Sequence, residues 1–167
     1  MKKLLTLALA SFMVFNLVGC GTSSDAGTGS NETYEILTEG TVGEILLSVF
    51  KNKNTEDAQA IVDFIQENHL PFMGANMEVE PGLLSGFDNY EVTGFEKGIM
   101  FGPAMGTIPF VGYIFELADG ADVEAFKTGL KDNANLRWNI CTEAEELTVD
   151  NVGNKVFFLM SPKAFEE

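Results

Sequence analysis

Between Lys97 and Glu116 the chain carries no charged residue, and this stretch limits the available folds more than any other. It reads Gly-Ile-Met-Phe-Gly-Pro-Ala-Met-Gly-Thr-Ile-Pro-Phe-Val-Gly-Tyr-Ile-Phe, and so much apolar surface has to leave water, in a bilayer or in a core. Its four glycines and two prolines argue against a membrane-spanning helix. Its β-branched and aromatic residues suit a sheet. The pattern predicts a buried strand over 95–101, a loop over 102–107 and a central strand over 110–117. Any part of the loop left exposed would be an apolar surface for a partner or the membrane interface.

Elements on either side follow from local signals. Thr41-Val42-Gly43-Glu44 has the form of a capping box, and Val42, Ile45, Leu46, Val49 and Phe50 then recur on one helix face. A second helix is predicted from Asn54 or Thr55, with Ala58, Ile61, Val62 and Ile65 as its stripe and Pro71 as its stop. Residues 76–80 alternate apolar and acidic, as a strand with one wet face does. Asp122 is placed to cap a third helix bearing Val123, Phe126, Leu130 and Ala134. A strand is expected over 136–140, and a terminal hairpin pairs 147–149 with 155–160 around a turn at 150–154. These elements add up to an α+β fold, an antiparallel sheet with helices packed on one face.

The N-terminus states where such a domain works. Lys2 and Lys3 precede an apolar run from Leu4 to Leu17, and Leu17-Val18-Gly19-Cys20 reads as a lipoprotein cleavage box. Residues 1–19 are read as the signal peptide and Cys20 as the acylated residue. The run is too short for the roughly 20 residues of a spanning helix, and two or three acyl chains make a durable anchor where one does not. Residues 20–32 hold no apolar side chain larger than alanine beyond Cys20, so they form a tether with a reach on the order of 20 Å. Residues 33–167 form one domain, long enough to build a core without disulfides.

Charge narrows the partners. Ten basic residues face 25 acidic ones, and loss of Lys2 and Lys3 would take the net charge from −15 to about −17. Nucleic acid is not expected as a partner, because its phosphates need clustered Lys and Arg. Flat docking on anionic lipid is disfavoured for the same reason.

Few residues suit catalysis. His69, the single histidine, stands where a helix should end and is expected to interact with its last carbonyls. Cys141 is expected to be a small buried hydrophobe. Asp119, Asp122 and Glu124 read as capping residues and Glu143, Glu145 and Glu146 as solvated ones, since neither group has the spacing of a calcium loop. Met73, Met77, Met100, Met105 and Met160 offer thioethers to copper(I), but with no histidine or cysteine nearby they read as core filler. No catalytic residue, metal site or cofactor is expected.

The cleavage box, the short tether, and the block running from Phe110-Val111-Gly112-Tyr113-Ile114-Phe115-Glu116-Leu117 through a helix to Gly153-Asn154-Lys155-Val156-Phe157-Phe158 resemble small lipoproteins of Firmicutes with domains of unassigned function. That resemblance implies an α+β domain on the outer face of the cell membrane and brings no catalytic residues with it. The functional expectation is a non-enzymatic, lipid-anchored protein-interaction module at the cell surface. Its partner-binding residues are expected at Met100, Phe101 and Met105, within an apolar region from Gly98 to Thr107. The alternative is a solute- or cation-binding lipoprotein associated with a transporter.

Overall fold

The structure, a computed structural model, describes residues 34–165. The expected signal peptide, the expected acylation site Cys20 and the expected tether lie outside the described residues. In chain order the elements are α1 (Val42–Asn52), α2 (Ala58–Asn68), β1 (Gly74–Val79), β2 (Gly82–Leu83), β3 (Glu91–Val92), β4 (Lys97–Pro103), β5 (Val111–Glu116), α3 (Val123–Asn133), β6 (Glu146–Val152) and β7 (Lys155–Ser161). Five strands make one antiparallel sheet in the order β1-β4-β5-β7-β6, and β2 pairs with β3 apart from it. The fold is α+β, as the sequence implies.

The uncharged stretch supplies the sheet centre. Side chains of β5 alternate between its two faces. Ile114 joins Ile99, Phe101, Phe157 and Leu159 beneath α1 and α2, whereas Val111, Tyr113 and Phe115 join Val156, Phe158 and Met160 on the other face. The helices expected on one face divide: α1 and α2 share it, and α3 packs on the other. There Phe126 meets Phe115 edge-on at 5.4 Å, and Leu130 is buried. The excursion between β1 and β4 adds Phe87, Val92 and Phe95 to the same cluster. Tyr113 donates its hydroxyl to the Ser85 carbonyl at 2.8 Å, tying that excursion down, and burial pushes its phenol pKa well above the usual value.

Local chemistry sets the ends of the helices. Thr41 and Glu44 form the reciprocal capping box. The second helix starts later than its pattern predicts, with Asp57 as N-cap accepting from the Ala60 N–H at 3.0 Å. Residues 54–56 are held out of the helix because Lys155 donates to the carbonyls of Asn54 and Glu56. Asp122 caps α3 through the Ala125 N–H.

Two further expectations are corrected. The hairpin turn is only Gly153-Asn154, and Gly153 takes the positive φ, 58°, that a tight primed turn needs. Residues 136–140 form no strand. Turn bonds from Trp138 N–H to Asn135 and from Thr142 N–H to Asn139 fold them back, so Leu136 and Trp138 reach the second cluster while Ile140 is 92% exposed.

Candidate functional site

The two edges of the sheet differ in what covers them. At the β6 edge, Lys51 of α1 reaches Asp150 at 2.6 Å, and Lys127 of α3 reaches the same carboxylate at 3.7 Å and Asn151 Oδ1 at 2.6 Å. One helix on each face thus pins a lysine to this strand, a common protection for an edge. Burial works to raise the Asp150 pKa, but the Lys51 hydrogen bond, the Asn151 N–H and the two lysine charges outweigh it and hold the carboxyl below its usual range.

At the β1 edge no such cover exists among the described residues. Hydrogen-bonded and non-bonded pairs alternate along an antiparallel ladder. The Ala104 N–H bonds the Met73 carbonyl at 2.9 Å, and Gly74 stands opposite Pro103, which has no N–H to give. The backbone groups of Gly74, Asn76 and Glu78 therefore point away from β4, toward solvent. The strand itself carries neither lysine nor proline.

The faces of β1 carry different chemistry. Toward α2, Asn76 donates to Asp63 Oδ1 at 3.2 Å and to Gln66 Oε1 at 2.5 Å and accepts from Gln59 at 3.0 Å, with Glu78 exposed beside it. Toward the other face point Met73 and Met77, 73% and 56% exposed, with Met77 directly opposite the partly buried Met100. Met105, 78% exposed, lies in the loop after β4, at the same end of the ladder as Met73. Three of the five methionines read as core filler are thus at the surface; Met160 alone among them is fully buried.

The predicted contact residues therefore separate. Met105 is exposed and Met100 contributes a partial face, but Phe101 is fully buried, its ring lying over Gly112 and against Phe110 and Phe157. Phe101 belongs to the core and is not available to a partner. An uncharged stretch names buried and exposed faces alike, and only the strand register tells them apart. Met73 and Met77 read from the sequence as core filler rather than contact residues, and no local pattern in the sequence marks β1 as an open edge. A signal was nevertheless present: from Asn54 to Glu96 the chain has no lysine or arginine and nine carboxylates. That segment spans α2, β1, β2 and β3.

The remaining candidates have structural duties. His69 is the C-cap of α2, its N–H bonded to the Ile65 carbonyl at 2.9 Å, and partial burial lowers its pKa. It borders a shallow groove of about 680 Å³ lined by Ile36, Leu37, Ile45, Leu70 and Phe165, with Lys163. Glu124 pairs with Lys127 at 2.6 Å, Glu145 accepts from the Lys163 N–H, and Glu146 accepts from the Gly43 N–H at the start of α1. Among the described residues no three His, Cys, Asp or Glu side chains converge to hold a metal ion, and no helix is long and apolar enough to cross a membrane. Cys141, expected inside, is exposed because the turns at 135–142 turn it outward. Compared with protein-family profiles, curated proteins and solved structures, the chain matches none.

Proposed function

We propose that this chain is a lipid-anchored extracytoplasmic module without catalytic activity that binds another protein at the cell surface through the β1 edge and its methionine face. Acylation at Cys20 supplies the anchor and residues 21–32 the slack between membrane and domain. One observation carries the reading: an edge strand with outward backbone groups is flanked by exposed Met73, Met77 and Met105. Flexible, polarizable thioethers suit a surface that adapts to a partner, and exposed apolar groups beside a free strand edge favour association.

The test is purification of the full, lipidated chain from its native membrane in mild detergent, beside a Met77→Asp variant. A near-stoichiometric protein present with the wild type and lost with the variant is the expected result. Recovery of the chain alone in both contradicts the reading. It would shift attention to the solute-binding alternative, for which the groove beside His69 and a second of about 570 Å³ between Phe72, Ile108 and Thr142 are candidate concavities, read as a saturable rise in melting temperature with ligand.

A further inference from the structure

We infer that the segment received at β1 is extended and cationic, alternating apolar residues with lysine or arginine, and that it adds to the sheet as a sixth strand. This rests on the proposed reading of the β1 edge and goes beyond it by naming the chemistry of the partner.

Backbone geometry requires the extended form. Outward groups of Gly74, Asn76 and Glu78 recur every second residue, the spacing that an added strand matches with its own N–H and C=O groups. Side-chain alternation supplies the pattern. Residues of an added strand on the α2 side would lie beside Glu78 and near Asp63, which is already hydrogen-bonded to Asn76, while those on the other side would lie beside Met73 and Met77. Asp63, Glu67, Glu78 and Glu80 are all exposed here, and neither α2 nor β1 contains a lysine or arginine. Outside these two elements, Lys53 lies 4.3 Å over the Phe64 ring of α2, and Lys97 of β4 and Lys155 of β7 act on Asp57 at the start of that helix.

Charge also decides against a second copy as the occupant. Two β1 strands would bring Glu78 and Glu80 of each chain to one seam, between bodies that each carry a net charge of −15. Like charges across a strand pair oppose association, whereas opposite charges speed it and set its register.

The experiment titrates the full chain with three synthetic peptides of one length, alternating valine with lysine, serine or glutamate, by calorimetry at low and physiological salt. The variants are Glu78→Pro, which removes an outward N–H and no ladder bond, and Glu78→Lys, which keeps the N–H and reverses the charge. The lysine peptide should bind, weaken with salt, and exceed the serine peptide by about tenfold, with no binding of the glutamate peptide. Glu78→Pro should abolish binding, and Glu78→Lys should weaken the lysine peptide by about tenfold, an outcome that stands even where the proline variant fails to fold. Equal binding of serine and lysine peptides, both lost in Glu78→Pro, would overturn the cationic inference and leave the β1 edge as the docking surface. Lysine-peptide binding unchanged in a folded Glu78→Pro would place the peptide on acidic side chains alone and overturn strand addition. No binding of any peptide would overturn the inference together with the edge it rests on. A concentration-dependent dimer in sedimentation, lost in both variants, would make the second copy the occupant.

Discussion

Met77 of β1 stands directly across from Met100 of β4, yet Met77 is more than half exposed while Met100 packs against the second core cluster. The difference arises because β1 has a neighbour on one side only. A side chain so placed contributes little to folding. Met77→Asp should change unfolding free energy by no more than about 0.5 kcal/mol in a urea melt. Its effect should appear in partner recovery instead, and a loss of several kcal/mol in stability would show Met77 to be part of the core.

Gly112 of β5 lies beneath the ring of Phe101. A Cβ at Gly112 would come within 3.0 Å of three ring atoms of a side chain with no exposed surface. Gly112→Ala should destabilise the domain by about 1–3 kcal/mol through overpacking, and Phe101→Ala by about 3–5 kcal/mol through the cavity it leaves. Combined, the two should cost less than their sum, since removal of the ring also removes the clash. Strict additivity in chemical denaturation would contradict this contact.

Asp150 links acid stability to the protected edge. Its folded pKa lies below the ordinary carboxylate value of about 3.9. The stability it adds is therefore fully present above that ordinary value and is lost as pH falls through the folded pKa. Asp150→Asn should cost about 1 kcal/mol near neutral pH, a modest figure because solvent reaches the pair. The gap between variant and wild type should close as pH falls through the folded pKa, as followed by thermal melts across pH. A gap independent of pH would assign the loss to packing rather than to charge.

Thiol chemistry separates the two cysteines. Cys141 is exposed and should react with a thiol reagent in the native state as fast as in denaturant. If Cys20 carries lipid, the membrane-derived chain has one reactive thiol. Cys20→Ser should release the chain from the membrane fraction, with loss of fatty-acid incorporation. Persistent membrane association of an unacylated Cys20→Ser chain would contradict the proposed anchor.

Much of this fold is legible because its signals are local. The Thr41 to Glu44 capping box, the stripe of Ile61, Val62 and Ile65, and the β-branched and aromatic run of β5 each act over one turn or one strand. Residues 136–140 mislead for the converse reason: Leu136 and Trp138 have strand-like side chains, but turn bonds beyond the segment direct them into the second cluster. The site was less legible than the fold. Alternation along 76–80 marks a half-wet strand but not which strand, if any, lies beside it. Methionine composition likewise cannot separate buried Met160 from exposed Met73. The run of nine carboxylates without a base is plain in the sequence, yet it gains meaning only when α2 and β1 are seen to border one open edge.

The most direct test of partner binding at β1 is photo-crosslinking in the native membrane, with a photoreactive residue in place of Met77 in the full chain and a second chain labelled at Ile140. Both sites are exposed, but Ile140 lies in the turns after α3 and is not part of the β1–β4 ladder. A discrete protein adduct from position 77, absent from position 140 and lost with Glu78→Pro, is the predicted result. No adduct from position 77, or the same adducts from both positions, would contradict it.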